Sequence, residues 1–334
     1  MDKLKKKKQA LLDKQKFIQR QSLPLEAKIQ TSIRRIKDWI EYWDGEIYVA
    51  FSGGRDSTVL ADLVGQVDKT IPLVFSDTGL EMPEIRDFVK KMALTRNVVR
   101  VRPKKTFKRV IEEDGFALVS KKVAKQVRVL KSPRTDKNAR MWDLYNTGVS
   151  GDGRVGTEWK LPKKWRHLIE SDVKISDKCC DHLKKQPLDT YAKESGKKPM
   201  TGMMAAEGGM RSRLTQCNSF DGKSAKSSPM LFWTEQDITD YIAYRNLEIC
   251  EVYFEREVVQ KDGRIAIVPP EKRTGCMFCL FGVHMEKEKL NRFQRMSISH
   301  PRHHETCISK LGLGKALDLI DVKYIPDDGD VKYK

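Results

Sequence analysis

Ser52-Gly53-Gly54-Arg55-Asp56-Ser57-Thr58 stands between Glu46-Ile47-Tyr48-Val49-Ala50-Phe51 and Val59-Leu60-Ala61-Asp62-Leu63-Val64. The first flank is apolar and rich in β-formers, so it predicts a strand. The second predicts a helix. A strand, a Gly-Gly turn and a helix opening on Asp, Ser and Thr make an anion cradle. The glycines let backbone N–H groups approach a phosphate with no Cβ in the way. The helix N-terminus adds its orphan donors and the positive end of its dipole. Ser52, Ser57 and Thr58 offer hydroxyls, and Arg55 a charge. The spacing is not the Walker pattern G-x-x-x-x-G-K-[ST]. The plainer alternative is a turn entering a capped helix with no ligand.

The pattern continues on both sides. Residues 25–43 carry Ile29, Ile33, Ile36 and Ile40 at helical spacing, a helix that packs on the sheet beginning at Ile47. Residues 1–20 are Lys-rich and helical in pattern. Downstream, Ile71–Phe75 predicts a second strand, ending in Ser76-Asp77-Thr78-Gly79. Met82-Pro83-Glu84 opens a helix to Met92, and Asn97–Val101 predicts a third strand. This alternation predicts an α/β fold with a doubly wound parallel sheet. Ligands of such sheets sit at the carboxyl ends of strands, where Ser52–Ser57 and Asp77–Gly79 lie.

Residues 103–170 are less regular. A helix is expected over Phe107–Glu113 and helical pieces around Trp142 and Trp165; the basic 120–140 stretch and Gly-rich 148–156 suggest an insertion or mobile excursion. A strand ends at Pro199–Gly202, and Thr234 caps a helix to Arg245 whose apolar face is Ile238, Tyr241 and Ile242. The expected division is a basic helical extension (1–44), a nucleotide- and metal-binding domain (45–285) and a C-terminal tail (286–334).

Composition sets the class. The chain has 334 residues, 39% of them hydrophobic, and a mean hydropathy of −0.57. No apolar run is long enough to span a membrane, and Met-Asp-Lys-Leu-Lys-Lys-Lys-Lys is no secretion signal, so a cytoplasmic location without membrane attachment is expected. Lys+Arg 64 against Asp+Glu 46 gives a formal charge of +18, which suits polyanions: nucleotides, and nucleic acid as a partner. Residues 1–22 carry eight basic and two acidic side chains, and residues 120–140 eight and one.

Seven cysteines in such a chain point to thiol or metal chemistry rather than disulfides. Cys179 and Cys180 are adjacent, and Cys276-Met-Phe-Cys279 follows nearly a hundred residues later. Four thiolates suit either zinc or a 4Fe-4S cluster, and spacing leaves both open. Cys250 reads as packing. Cys217, near Arg211 and Arg213, and Cys307, near His300, Arg302, His303 and His304, are candidates for a lowered thiol pKa.

Two resemblances follow from these residues. Ser52–Thr58 is similar to the SGGxDS pyrophosphate loop (PP-loop) of the adenine nucleotide α-hydrolase superfamily, a Rossmann-related fold. Cys179-Cys180-x(3)-Lys184-x-x-Pro187-Leu188 before a distant C-x-x-C resembles the cluster pattern of adenylyl-sulfate (APS) reductases, within the phosphoadenylyl-sulfate (PAPS) reductase family. Asp77-Thr78-Gly79 with Pro83-Glu84, and Pro229–Ile242, are similar to further family segments. The resemblance covers about residues 45–285. It implies that Cys179, Cys180, Cys276 and Cys279 ligate a 4Fe-4S cluster, and that Asp77, Thr78, Gly79, Gly202, Glu207 and Arg211 border the nucleotide.

The chain also departs from that pattern. Leu319–Lys334 lacks the Glu-Cys-Gly-Leu-His segment of sulfate-reducing members, leaving Cys307 as the only late cysteine. In Thr201–Arg211 the family's G-x-R-x-x-E-S-x-x-R keeps Gly202, Glu207 and Arg211 but has Met204 for the arginine and Gly208 for the serine. Methionine offers a sulfate no charge. The resemblance therefore implies an enzyme that binds ATP or a related adenylyl nucleotide, with Mg²⁺, and carries the cluster. It would adenylate an acceptor or support sulfur transfer to it, with Asp56 and Arg55 as catalytic candidates. tRNA or DNA is an expected acceptor, and a sulfur-donor or reductant protein an expected partner. The alternatives are a true APS or PAPS reductase that releases sulfite through Cys307, and a non-catalytic nucleic-acid-binding protein with a structural metal.

Overall fold

The computed structural model describes residues 3–221, 224–327 and 329–334. Helices α1 (Lys3–Gln21) and α2 (Leu25–Tyr42) precede strand β1 (Ile47–Phe51). Then come α3 (Arg55–Val67), β2 (Leu73–Ser76), α4 (Pro83–Met92) and β3 (Val98–Val101). Helices α5 (Phe107–Glu113), α6 (Lys121–Lys131), α7 (Ala139–Thr147), α8 (His167–Glu170) and α9 (Gln186–Ser195) follow. The chain continues through β4 (Lys198–Thr201), β5 (Asn218–Ser219), β6 (Lys226–Ser227), α10 (Glu235–Arg245), β7 (Arg256–Val259) and β8 (Ile265–Val268). It closes with α11 (Arg292–Ser299), α12 (Pro301–Glu305), α13 (Leu313–Asp318) and β9 (Lys332–Tyr333). No described helix is long and apolar enough to cross a membrane.

Two units form, each assembled from separated stretches. The first comprises Met1–Asp77, Pro83–Arg102 and Pro187–Tyr253; the second Thr78–Met82, Pro103–Gln186 and Phe254–Lys334.

The first unit holds the predicted sheet, flanked by helices, in the order β3-β2-β1-β4-β6-β5. All neighbours are parallel except β5, which runs antiparallel to β6. β1 is central, with Val49 beside Leu73 of β2 and Met200 of β4. Ile47, Tyr48, Val49 and Phe51 are buried, as a strand covered on both faces requires. The chain leaves β1 to one side for β2 and returns on the other at β4. The carboxyl end of β1 is therefore a topological switch point, where open sheets of this type bind ligands.

Helices α2, α3 and α10 pack on one another. Thr234 caps α10 as predicted: its hydroxyl accepts the Asp237 N–H, and Asp237 Oδ2 accepts the Thr234 N–H at 2.7 Å. Asp237 also takes the buried Lys28 ammonium of α2, at 2.7 and 2.8 Å. Asp237→Ala removes the cap and strands that ammonium. We expect a loss of about 3–5 kcal/mol in urea unfolding, since removing one partner leaves a buried charge uncompensated.

In the second unit the helix expected over Phe107–Glu113 and the helical pieces around Trp142 and Trp165 are present, whereas the 120–140 stretch, expected as an insertion or mobile excursion, carries α6. Helices α5–α8 lie within residues 103–170 and supply Val110, Ala124, Val127 and Leu168 to one apolar core, joined by Leu118 from the link between α5 and α6. The stretch after residue 286, expected as a tail, adds Phe293, Leu313, Ala316 and Leu317 to the same core. The helical spacing of Val123, Val127 and Leu130 is interleaved with lysines, which hides the pattern in sequence. β7, β8 and β9 form a separate antiparallel sheet.

Candidate functional site

The loop after β1 is shaped by its own small residues. Gly53 sits at φ +69°, in the left-handed region, and a Cβ there would lie 2.9 Å from Val89 Cγ2 and 3.0 Å from Ile85 Cγ2. Only glycine meets both demands. Gly54 is extended and precedes the first turn of α3. The Ser57 and Thr58 hydroxyls donate to the Gly54 carbonyl, at 2.8 and 3.0 Å. The Ser52 N–H donates to Ser57 Oγ at 3.2 Å, and the Gly54 N–H to Ser52 Oγ at 3.3 Å. This corrects the expectation that Ser57 and Thr58 offer hydroxyl donors to a ligand. A hydroxyl has one proton, and here it builds the loop.

Other residues complete this end of the first unit. The Arg55 N–H donates to Tyr253 Oη at 3.0 Å, and the Arg55 guanidinium lies 5.8 Å from the Tyr253 ring centroid. Arg55 Nε is 3.7 Å from Asp56 Oδ1, and Asp56 is half-exposed in the first turn of α3. Gly202 follows β4, and a Cβ there would stand 3.0 Å from the Asp56 carbonyl oxygen. The glycine thus lets the exit of β4 abut the loop helix. Asp77, 6% exposed in its side chain, is held by Arg100 at 2.5 Å and Arg102 at 3.3 Å. Glu207 accepts the Met204 N–H at 3.0 Å and pairs with Arg211. Met204 is itself 1% exposed, so the position is built as core.

The second unit holds the cysteines. Cys179 and Cys180 enter a π-helical turn, Asp181–Lys185. Cys276 and Cys279 share a turn closed by the Cys279 N–H to the Cys276 carbonyl, 3.1 Å. All four line one cavity with Lys184, Leu183, Phe107 and Phe278. Burial pushes the Cys179 and Cys180 thiols up and Cys276 up to about 11, the neighbouring sulfurs adding to the rise. The Cys276 sulfur, with Glu81, Cys180 and Cys279, raises the Lys184 ammonium. No three His, Cys, Asp or Glu side chains among the described residues are set to hold a single metal ion.

The Asp77-Thr78-Gly79 stretch is divided. Asp77 belongs to the first unit and Thr78 to the second. Thr78 donates its hydroxyl to Glu81 Oε1 at 2.7 Å and lies 3.8 Å from Cys276 Sγ. The Met277 N–H donates to the Leu80 carbonyl at 2.8 Å. Thr78–Met82 is thus a brace for the Cys276 turn.

Two thiol expectations are overturned. Cys307 is fully buried, and burial alone raises its thiol pKa. No histidine or arginine among the described residues acts on it, because His304 turns to the Tyr324 carbonyl at 2.8 Å. It is a packing residue, not an attacking thiol. Cys307→Ala is expected to lower stability by about 1 kcal/mol and to leave the Ser52–Thr58 loop undisturbed, read from denaturant unfolding beside limited proteolysis. Cys217 is also buried; burial raises its pKa against the smaller, opposite effects of Arg35 and Arg20.

The amino-acid sequence has counterparts in known proteins. The model of the phosphoadenosine phosphosulfate reductase domain family matches residues 46–142 and 145–280. The chain belongs to this family. An adenosine 5'-phosphosulfate reductase of Staphylococcus epidermidis is 22% identical over 63% of this chain and 66% of its own length. An uncharacterized protein of Methanocaldococcus jannaschii is 34% identical over 28% of this chain and 23% of its own. The chain thus spans less than two thirds of the length of these relatives. A phosphoadenylyl-sulfate reductase structure from Candida auris, a phosphate complex, aligns over 69% of this chain and 91% of its own at 17% identity and a TM-score of 0.39.

Within the family frame, sequence reasoning missed Arg100, Arg102, Glu81 and Tyr253. The alternation Val99-Arg100-Val101-Arg102 signals that Arg100 in β3 and Arg102 just past its end share one side of the chain. Nothing local in the sequence ties Tyr253 to Arg55, 198 positions away.

Proposed function

We propose that the chain binds ATP or a related adenylyl nucleotide at Ser52–Thr58 for adenylation or sulfur transfer, and holds a 4Fe-4S cluster on Cys179, Cys180, Cys276 and Cys279. The cluster part rests on one observation: four thiols and one ammonium line a single apolar cavity. A cubane takes one thiolate on each iron, so its four ligands do not meet at a point. Four thiolates concentrate negative charge, and Lys184 offsets it. When bound, such a cluster supplies redox capacity and a local electrostatic field. The 22% identical reductase lends the sulfur chemistry its support.

At the loop, the Gly53 N–H and the positive end of the α3 dipole would cradle the phosphates. Asp56, the loop's one carboxylate, would ligate the accompanying Mg²⁺. An acceptor attacks the α-phosphorus, the bond to the bridging oxygen breaks, and pyrophosphate leaves with the electron pair. The loop donors and the Arg55 charge stabilise the negative charge that develops. With Met204 in the core and Cys307 buried, the adenylation route is favoured over sulfite release.

The test is ATP–pyrophosphate exchange with anaerobically purified protein, beside sulfite release from APS. Exchange that disappears in Asp56→Ala, with folding intact by circular dichroism, supports the reading. Turnover unchanged in that variant refutes the loop assignment, and sulfite release without exchange replaces adenylation by reduction.

A further inference from the structure

We propose that the basic face of α6, with Lys163 and Lys164, is a docking surface for the phosphodiester backbone of a nucleic acid beside the cysteine site. It goes beyond the nucleotide reading of Ser52–Thr58, and its only dependence on the cluster reading is in what the docked strand would lie next to.

Residues 103–186 carry 21 basic and 11 acidic side chains, so this stretch holds more than half of the +18. On α6 every charged residue is basic: Lys121, Lys122, Lys125, Arg128 and Lys131. The opposite face, Val123, Ala124, Val127 and Leu130, is buried, which fixes the basic face outward. Two of these cations pin α6 along the cysteine segment. Lys121 Nζ is 3.6 Å from Asp181 Oδ1, and Arg128 Nε donates to Asp177 Oδ1 at 2.9 Å. Lys125 stands on the same helical row between them, one turn from each, and has no acidic partner among the described residues. Lys122 is likewise exposed and unpaired among them, one turn before Gln126. Gln126 Nε2 donates to the Trp159 carbonyl at 2.7 Å and so ties the 159–165 segment to α6. That segment adds exposed Lys163 and Lys164, neither in an ion pair with a described residue.

Three acidic side chains near this face are already matched. Asp177 and Asp181 are taken as above, and Asp143 is held by Arg134 at 2.8 and 2.9 Å. The surplus is therefore four ammonium groups without a described acidic partner, Lys122 and Lys125 on α6 and Lys163 and Lys164 on the segment tied to it, while the Lys131 ammonium is committed to the Leu168 and Ser171 carbonyls. A solvated face selected only for solubility mixes both signs; a phosphate-tracking face does not. Because Lys121 and Asp181 stand next to Cys180, a strand docked here runs past the four thiols.

The experiment is fluorescence anisotropy with labelled single-stranded DNA, duplex DNA and RNA of equal length, at about 50 and about 200 mM salt. Wild-type protein is expected to bind at least one of them, more weakly at the higher salt; the three arms show which form it prefers. Lys122→Glu/Lys125→Glu is expected to weaken that binding at least about tenfold and to lower the salt slope by about 2, one per lost phosphate contact. Lys5→Glu/Lys8→Glu on α1 is the charge-matched control and is expected to change it little. No binding to any arm at low salt overturns the proposal. So does equal binding by wild type and the α6 variant, or a loss confined to the α1 variant. Asp56→Ala should bind the oligonucleotides like wild type, so failure of the loop reading leaves this result standing.

Discussion

Cys276→Ser is expected to lower the iron of anaerobically purified protein from about four atoms per chain to none. The second unit should then become open to limited proteolysis, because metal-binding energy is also folding energy. The effect is expected to exceed that of an ordinary core substitution for a reason visible in the turn. Cys276 is braced from Thr78 at 3.8 Å, and the adjacent Met277 N–H bonds the Leu80 carbonyl. Loss of the cluster would release Thr78–Met82 together with the turn. Cys179→Ser, Cys180→Ser and Cys279→Ser should behave alike, whereas Cys250→Ser should keep its iron. Colourless wild-type protein containing zinc would reject the cluster outright.

Gly53→Val is expected to abolish nucleotide binding and to destabilise the first unit. The left-handed φ of +69° costs a β-branched residue about 1–2 kcal/mol. Pressing a branched side chain against Val89 and Ile85 adds about 1–3 kcal/mol of overpacking. Gly79→Ala separates the two effects. Gly79 has φ +75°, but no described atom lies within 4 Å of where its Cβ would stand, so it should show the conformational cost alone. Urea unfolding of both variants measures the difference, and calorimetric titration with ATP reads the loss at the loop. Equal destabilisation of the two would show that the contact with α4 does not shape the loop.

Local patterns carried the first unit's elements. Strand-turn-helix at Ser52–Thr58, the isoleucine row of α2 and the Thr234 cap each depend on residues within a few positions, and each is where the residues place it. The strand order depends on pairings such as Val49 with Met200, 151 positions apart, and no local pattern records it. β5 and β6 are two residues each, Asn-Ser and Lys-Ser, with none of the β-branched or aromatic signal that marks a strand.

At the site, residue type was legible and commitment was not. Ser57 and Thr58 can donate to a phosphate or to Gly54, and only the folded loop decides. Cys307 has cations near it in sequence, yet its helical turn points the sulfur into the core. Met204 was legible as a lost charge; that it is also a core residue required the burial around it. The division between Asp77 and Thr78 was not legible at all, because one short motif serves two units.

That division bears on how the protein is made. The second unit draws on residues 78–82, 103–186 and 254–334. Its core cannot close until Leu313–Leu317 has left the ribosome. At roughly 5–20 residues per second, Cys179 and Cys180 emerge seconds before Cys276 and Cys279. During that interval two adjacent thiols stand without their partners and without a finished wall around them. On the cluster proposed above, iron insertion would be a late event in the life of each chain, and an assay of nascent chains stalled before residue 276 should recover protein without iron.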